Sequence, residues 1–421
     1  MPLGRTARTR GREGEPEFGG DEASTDRPAS CGADPLMDLA LVEGRVMTDA
    51  GLCDGLAVGL AGDRIGFVGP PADLPPDVPR LNLGGQSLLP GFIDVQVNGG
   101  GGVLFNDTPT PEGVAAIGRA HRRFGTTGFL PTLISDRLDV VRRGLRAVSE
   151  AMDKGTPGLL GIHLEGPFLN PARKGIHDGA VLRRLDAELL PELTSLTRGR
   201  TLVTLAPELQ PPGTIEALVA AGVIVSAGHT DATYEEMRQA LARGVTGVTH
   251  LFNAMSPLGH RRPGVVGAAL EDQTAWCGLI VDGHHVSPVV LRLALRCRPL
   301  SRFLLVTDAM PCVGSDQTGF TLNGRPIFVR DGTCVDAEGT LAGSNLDMAG
   351  AVRNAVRALG LTLAEASRLA SGNPAAFLGL DHELGRIAPG YRADLVLLDD
   401  ALQVTQTWIA GQTPLEGDLH A

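Results

Sequence analysis

Short apolar runs recur along the chain, and most of them end in a polar or ionisable residue. Eight such runs cover residues 91–94, 128–132, 159–165, 201–208, 223–229, 248–250, 278–282 and 303–308. Continuous runs rich in Val, Ile and Leu are typical of strands that are buried on both faces of a sheet. The pattern therefore predicts eight buried strands.

Segments with helical periodicity separate these runs. The predicted helices cover 111–124, 137–153, 187–196, 214–221, 234–242 and 288–295, and a terminal helix covers 362–378. Strands that alternate with helices lie parallel, and eight such units close into a (β/α)8 barrel. A doubly wound open sheet is the alternative. It does not explain why ionisable residues end most of the runs, at the face where barrel active sites lie, among them Asp94, Glu165, His229, His250, Asp282 and Asp308.

Both ends of the chain carry β segments outside the barrel pattern, at 39–68 and at 385–410. The predicted fold class is α/β, a TIM-like (β/α)8 barrel with a small β-sandwich domain formed from both chain ends. The predicted boundaries are 37–90 and 385–421 for the two parts of the β domain and 91–384 for the barrel. Residues 1–36 are Arg-rich and then acidic, which predicts a disordered extension and makes Met37 a hypothetical functional start.

Composition and charge restrict the class of partner. The 421 residues carry 37 Lys and Arg against 48 Asp and Glu, a net charge of −11. This balance argues against a nucleic-acid partner, because phosphate backbones require a basic surface. No run of about 18 apolar residues predicts a membrane span. Six cysteines without C-x-x-C spacing favour free thiols in a reducing cytoplasm.

Two histidines and a glutamate end three different predicted strands. A single histidine in an apolar run is usually a hydrogen-bonded core residue. Imidazole and carboxylate together suit Zn²⁺, and three protein ligands plus one water are the open arrangement of a catalytic site. We therefore predict Glu165, His229 and His250 as ligands of a divalent ion. His163 precedes Glu165 by two residues and is interpreted as a supporting or packing residue.

Two further regions carry candidate chemistry. Asp308 ends the last run, where a carboxylate can take a proton from water and later deliver it to a leaving group; a helix N-cap is the alternative. The segment 250–264 carries Asn253 and Arg261, and His285 follows on the next loop. Together they predict an anion pocket, because Arg binds phosphate through two hydrogen bonds. Arg261 as a solvated surface charge is the other interpretation.

Seven motifs occur in order along the chain. They are PGFIDVQVNG at 90–99, HLEGPFLN at 163–170, AGHT at 227–230, THLFNAM at 249–255, DGHHV at 282–286, VTDA at 306–309 and LAGS at 341–344. The set resembles the N-acetylglucosamine-6-phosphate deacetylase family of the amidohydrolase superfamily, from about Met37 to the end of the chain. The resemblance implies metal-dependent removal of the acetyl group from a phosphorylated amino sugar, in amino-sugar catabolism and recycling.

The resemblance also implies roles for individual residues. Glu165, His229 and His250 are the implied metal ligands, and Asp308 is the implied general base and acid. The implied substrate contacts are His177, with Ile176 beside it, Asn253, Ala254, Arg261, His285, Leu341, Ala342 and Gly343. A homodimer is implied as well, in which Arg261 reaches into the phosphate pocket of the neighbouring subunit.

Two positions depart from the usual pattern of the superfamily. Most amidohydrolases have His-x-His after the first strand, whereas this chain has Gln96 and Asn98. Neutral amides bind transition metals poorly, so we expect one divalent ion per subunit, zinc or iron. In the family that this chain resembles, a hydrophobic residue commonly precedes the substrate-binding histidine. This chain has His284 at that preceding position, and the substrate-binding role is assigned to His285.

Two alternative functions stay open at this point. A deacetylase for the galactosamine isomer differs by the configuration of one hydroxyl, and no residue in the sequence decides between the two sugars. A non-catalytic barrel used as a binding scaffold is the other alternative. Such a scaffold would have lost a metal ligand or the general base. In this chain the three ligands and the base are all present, namely Glu165, His229, His250 and Asp308.

Overall fold

The first described strands belong to a mixed sheet. The computed structural model describes residues 37–413. Their amino-terminal part forms β1 (Leu39–Thr48), β2 (Gly51–Ala61), β3 (Arg64–Gly69), β4 (Arg80–Asn82) and β5 (Ser87–Pro90). Strand β1 pairs antiparallel with β2 and parallel with β4 and β5. The predicted extension 1–36 lies outside the described residues.

A parallel barrel follows this sheet. Its region contains β6 (Phe92–Val97), the short hairpin β7 (Gly99–Gly100) and β8 (Val103–Leu104), β9 (Thr126–Ile134), β10 (Gly161–Glu165), β11 (Arg200–Leu205), β12 (Ile224–Ala227), β13 (Gly247–Val248), β14 (Trp276–Leu279) and β15 (Phe303–Leu305). Strands β6 and β9 to β15 pair in chain order. Backbone hydrogen bonds from Asp308 N to Gln96 O (3.0 Å) and from Asn98 N to Ala309 O (2.9 Å) bring the two edges together. The eight-stranded parallel barrel predicted from the apolar runs is confirmed.

Helices pack around the barrel, between its strands and after the last of them. They are α1 (Pro111–Arg122), α2 (Leu138–Asp153), α3 (Leu190–Leu193), α4 (Thr214–Ala220), α5 (Tyr234–Ala242), α6 (Gly264–Glu271), α7 (Pro288–Cys297), α8 (Met348–Leu359), α9 (Leu363–Ala370) and α10 (Gly372–Phe377). Within residues 37–413, no helix combines the length and the apolar character that crossing a bilayer requires.

Two of the predicted helices are wrong in extent. The segment 187–196 contains only a 3-10 turn and the four-residue α3. Pro191 is the second residue of α3, and because it has no N–H to donate to the carbonyl of residue 187, the helix cannot extend back to that residue. The helix predicted over 362–378 is split at Ser371, whose backbone leaves the helical region at φ −135° and ψ −71°. Its hydroxyl donates to the carbonyl of Ser367 instead. Helices α6 and α8 were not predicted.

An antiparallel sheet of four strands lies between β15 and α8. Its strands are β16 (Gly319–Leu322), β17 (Arg325–Arg330), β18 (Thr333–Val335) and β19 (Leu341–Ser344), and they pair in chain order. We call this segment, residues 319–344, the insert sheet. Its side chains pack against the loops at the carboxyl end of the barrel through Met310, Ile134 and Leu104.

The last strands of the described chain return to the first sheet. Strand β20 (Leu395–Leu398) lies between β5 and β21 (Val404–Trp408), so that strands from both chain ends share one sheet. Trp408 is fully buried there and packs with Leu41, Leu88 and Leu395. The pairing of the two ends agrees with the sequence pattern. The β-sandwich domain and its boundaries stay predictions.

Replacing Trp408 tests how far the two ends depend on each other. Trp408→Ala removes the largest side chain of this cluster and leaves a cavity, so we expect a loss of about 3–5 kcal/mol in the free energy of unfolding. Denaturant unfolding measures it. Thr405→Ala, at an exposed position on the same strand, is the control, with an expected loss below about 1 kcal/mol. Equal losses for both variants would contradict the packing argument.

Candidate active site

Four of the predicted site residues meet at the carboxyl end of the barrel. Glu165 is the last residue of β10, and His229, His250 and Asp308 follow β12, β13 and β15 within three residues. The φ angles of His229, His250 and Asp308 are 49°, 32° and 53°, in the left-handed region that non-glycine residues rarely adopt. Strained backbone of this kind clusters at active sites, where the surrounding fold maintains it.

Three potential ligand atoms converge at this point. The Nε2 atom of His250 lies 2.9 Å from Oε1 of Glu165 and 3.1 Å from Nε2 of His229, and the remaining pair is 3.3 Å apart. Ligands at about 2.0–2.1 Å from a tetrahedral ion are themselves separated by about 3.4 Å. The three side chains are buried and are the one such group of His, Cys, Asp and Glu in the described part of the chain. Their donor set fits a divalent cation.

The surrounding contacts prepare these side chains to bind a cation. The ring Nδ1 of His229 lies 2.9 Å from the carbonyl of Arg173, to which it donates its proton, so the lone pair stays on Nε2. Burial alone raises the pKa of Glu165, but hydrogen bonds and charge from His229 and His250 outweigh it and hold that pKa well below its usual range. The carboxylate is therefore charged.

His163 lies inside the barrel, apart from the ligand atoms. Its two ring nitrogens lie 3.1 Å from the hydroxyl of Thr132 and 2.8 Å from that of Thr204. Burial lowers its pKa to about 4, so the ring is neutral. This placement agrees with its interpretation as a supporting residue.

Asp308 lies beside the ligand group and is held by two amides. The Nδ2 of Asn98 donates to Oδ1 of Asp308 at 2.6 Å, and the Nε2 of Gln96 reaches the same oxygen at 3.2 Å. The Nε2 of Gln96 also lies 3.2 Å from both carboxylate oxygens of Glu165. Burial, together with the charge of Glu165, raises the pKa of Asp308 to about 6. A carboxyl group with this pKa can accept and return a proton near neutral pH.

Asp94 supports the segment that carries Asp308. Its carboxyl group accepts a hydrogen bond from the hydroxyl of Thr307 and further bonds from the backbone N–H groups of Thr307 and Gln96. Burial raises the pKa of Asp94 to about 7, although these hydrogen bonds lower it. Asp94 stands out in the sequence only as a strand-end residue without a predicted role, and Thr307 was not among the predicted site residues.

His177 and Ser135 form a second pair at the site. Nδ1 of His177 lies 2.8 Å from the hydroxyl of Ser135 and accepts from its backbone N–H at 3.3 Å. Because Nδ1 accepts, the ring proton lies on Nε2, and burial lowers the pKa of His177 to about 3. A neutral ring with its N–H on Nε2 is a hydrogen-bond donor. His177 was among the predicted site residues, whereas Ser135 was not, because no motif distinguishes it.

Most of the predicted substrate residues line one cleft of about 420 Å³. Its floor contains the ligand group and Asp308. The predicted contacts that line it are Ile176, His177, Asn253, Ala254, His285, Leu341 and Gly343, and Asn98 lines it as well. Two predicted contacts do not line it: Ala342 on β19 is buried in the apolar cluster of the insert sheet, and Arg261 is exposed outside the cleft.

His285 and Gly343 show how the loops shape this cleft. Nδ1 of His285 lies 2.6 Å from Oδ2 of Asp282, which fixes the ring, whereas His284 is exposed. Gly343 has a φ of 58°, and a Cβ there would approach the carbonyl oxygen of Asp308 to 2.8 Å. The end of the insert sheet therefore packs directly on the Asp308 segment.

Comparisons with known proteins identify the family. The family model described as "Amidohydrolase family" matches residues 87–413. The chain belongs to the amidohydrolase family. A curated relative, the N-acetylgalactosamine-6-phosphate deacetylase of Shewanella sp. (strain ANA-3), is 46% identical over 338 residues, which are 80% of this chain and 85% of the relative. The match confirms the resemblance to this family of deacetylases, and the chain is a hydrolase of that type.

Solved structures in the family agree with this assignment. N-acetylglucosamine-6-phosphate deacetylase from Pasteurella multocida superimposes with a TM-score of 0.87 at 34% identity, over 90% of this chain and all of that one. A variant of the enzyme from Mycobacterium smegmatis, in complex with N-acetyl-D-glucosamine-6-phosphate, gives a TM-score of 0.81 at 35% identity, over 89% of this chain and 98% of that one.

The amides around Asp308 determine the pH dependence that we expect. Asp308 must be ionised to accept a proton, so kcat/KM should fall as the pH decreases through its pKa. Asn98→Leu removes a donor to the ionised form and therefore raises this pKa, which moves the acid limb to higher pH by about one unit. A pH profile of kcat/KM measures the shift.

Asn253→Leu is the matched control for this prediction. It alters an amide that lines the same cleft but bonds to the carbonyls of His250 and Leu251 rather than to Asp308. The acid limb of its kcat/KM profile should lie at the same pH as that of the unmodified enzyme, even if its rate is lower. A limb that moves equally in both variants would show that Asn98 does not act on Asp308.

Proposed function

We propose that this chain is a metal-dependent deacetylase that converts N-acetyl-D-glucosamine 6-phosphate to D-glucosamine 6-phosphate and acetate, in amino-sugar catabolism and recycling. The observation that supports this most directly is the placement of the Asp308 carboxyl group beside a three-ligand group on the floor of one cleft. Relatives with this printed activity cover nearly the whole chain.

In this proposal Glu165, His229 and His250 hold one divalent ion per subunit, zinc or iron. A bound divalent cation lowers the pKa of the attacking water from about 15.7 toward about 7 and polarises the acetamide carbonyl. Gln96 and Asn98 donate their amide N–H groups to carboxylates, and because neutral amides bind transition metals poorly we expect no second ion beside them.

Asp308 and His177 carry the proton and charge steps of the proposed reaction. Asp308 removes a proton from the attacking water as the C–O bond forms. The Nε2–H of His177 donates to the acetamide oxygen, on which negative charge develops in the transition state. Asp308 then delivers its proton to the departing nitrogen, and the C–N bond breaks to give the free amine and acetate.

A deacetylase for N-acetylgalactosamine 6-phosphate is the second candidate. The observation in its favour is the 46% identity with the Shewanella enzyme of that name, against 34–35% for the two solved glucosamine-type structures. Both sugars present the same acetamide and phosphate groups, so the roles of Asp308 and His177 are the same in either case. The non-catalytic scaffold has no observation in its favour.

We also propose a homodimer in which Arg261 completes the partner's phosphate pocket. Arg261 is exposed outside its own cleft, so it is free to contact a second subunit. Three apolar side chains are more than half exposed: Leu258 on this loop, and Val289 and Leu293 on α7. Exposed apolar side chains that form a contiguous patch mark interaction surfaces. A cytoplasmic location and a separate small β-sandwich domain complete the proposal.

Acetate release tests the proposed reaction. The purified enzyme is assayed with N-acetylglucosamine 6-phosphate and its galacto isomer, before and after chelation and with single metals added back. We expect activity to be lost on chelation and to return with zinc or iron, and elemental analysis to give about one ion per chain. Two ions per chain at full activity would contradict the single-ion proposal.

Asp308→Asn is the matched variant for this assay. It keeps the three ligands and therefore the bound ion, but we expect kcat to fall by roughly 10²–10⁴-fold because proton transfer is lost. Turnover close to that of the unmodified enzyme would remove Asp308 from the mechanism. The ratio of kcat/KM for the two sugars decides between the two candidates.

Arg261→Ala tests the phosphate pocket. We expect KM for the phosphorylated sugar to rise by roughly 10–100-fold with a smaller change in kcat, because hydrogen bonds to a charged group are lost. Arg262→Ala, at the adjacent exposed arginine, should leave KM unchanged.

Mixing and re-associating Arg261→Ala and Asp308→Asn chains tests which subunit supplies Arg261. Half of the re-associated dimers are hybrids, and in a two-fold dimer one of the two sites of each hybrid is intact, so about a quarter of the activity should be restored. No restoration would place Arg261 in its own subunit's site.

A further inference from the structure

Two cysteines are in contact where the insert sheet meets the Asp308 segment. The Sγ atoms of Cys312 and Cys334 lie 3.5 Å apart, both side chains are buried, and both are free thiols. We propose that Cys312 and Cys334 form a reversible disulfide that ties the insert sheet to the loop after Asp308 and lowers the rate of deacetylation. The disulfide itself does not depend on the proposed function, whereas its effect on the rate does.

The two cysteines come from different elements of the fold. Cys334 lies on β18, in the middle of the insert sheet, and Cys312 lies on the barrel loop four residues after Asp308. They pack in one apolar cluster with Met310, Ile327 and Ala342. A disulfide has an S–S distance of about 2.05 Å, so the sulfur atoms must approach each other by roughly 1.5 Å.

An oxidant can reach this pair from one side. Cys312 lines a crevice of about 670 Å³ together with Arg123, Ser315 and Asp347, whereas Cys334 does not line it. Cys312 is therefore the thiol that a small oxidant meets first. The hydrogen bond between the two thiols lowers the pKa of Cys312 and raises that of Cys334, which favours the thiolate on the accessible sulfur.

A peroxide supplies the two oxidising equivalents. The Cys312 thiolate attacks one oxygen of hydrogen peroxide, the O–O bond breaks, and Cys312 becomes a sulfenic acid while the other oxygen leaves as water after protonation. The sulfur of Cys334 then attacks the Cys312 sulfur. The S–S bond forms, the S–O bond breaks, and the hydroxyl leaves as a second water with the thiol proton. A dithiol reductant reverses the net reaction.

The cleft lies next to the segments that the disulfide would join. Ser344, at the end of β19, donates its N–H to the carbonyl of Asp308 at 2.8 Å and accepts from the N–H of Met310 at 3.0 Å. Leu341 and Gly343 of the same strand line the cleft. A displacement of about 1 Å at a catalytic group can cost about 100-fold in rate. Pulling β18 toward Cys312 should therefore disturb both Asp308 and the cleft wall.

The test treats the purified holoenzyme with hydrogen peroxide, blocks the remaining thiols, and digests the chain with trypsin. Cleavage after Arg330 separates the two cysteines, so a disulfide joins two peptides that mass spectrometry detects as one species. We expect this species to appear as the acetate-release rate falls by at least tenfold, and both changes to reverse with dithiothreitol.

Variants separate this disulfide from other oxidation. Cys312→Ser and Cys334→Ala should lose the linked species and keep their rate under peroxide, whereas Cys297→Ser, at an exposed cysteine away from the pair, should behave as the unmodified enzyme. Absence of the linked species in the oxidised enzyme would overturn the proposal, and so would a linked enzyme with an unchanged rate. An untreated enzyme without deacetylase activity would contradict the proposed function instead, and the linked species would still decide whether the disulfide forms.

Discussion

The convergence of one carboxylate and two imidazoles at the open end of the barrel is the constraint on which the site depends. Three strands deliver Glu165, His229 and His250 so that their ligand atoms lie 2.9–3.3 Å apart in a buried environment. Such a group is unfavourable without charge compensation, because burial disfavours each charged form. A divalent cation would provide that compensation. His229 and His250 both have left-handed backbone at the positions where they join this group.

The second constraint is the proximity of Asp308 to Glu165. Burial, together with the charge of the neighbouring Glu165, raises the pKa of Asp308 to about 6. The amides of Gln96 and Asn98 act in the opposite direction by donating to these oxygens. The balance leaves a carboxyl group that can both take and return a proton, which is the property that the proposed reaction requires. Asp94 supports the segment that carries Asp308, because its carboxyl group accepts hydrogen bonds from the hydroxyl and the backbone N–H of Thr307.

The barrel and its ligand group were predictable from sequence because each leaves a local signal. A strand buried on both faces is a continuous apolar run, and an ionisable residue at its end stands out against that run. The insert sheet leaves no such signal: β17 is half exposed and carries Arg325, Pro326 and Arg330 among its six residues. Helix α6 has glycine at its first and fourth positions, which obscures its periodicity. Ser135 could not be predicted as the partner of His177, because the two residues are 42 positions apart and only the fold brings them together.

The position of Gln96 bears on why one cation should suffice. A second cation in a binuclear site would neutralise the carboxylates on this side of the pocket. Here the Nε2 of Gln96 lies 3.2 Å from both oxygens of Glu165 and from Oδ1 of Asp308, so an amide group provides part of the same electrostatic effect without a charge. An uncharged donor stabilises the carboxylates less than a cation does, which is consistent with the raised pKa of Asp308. The replacement of histidine by glutamine thus supports both the single ion and the role of Asp308.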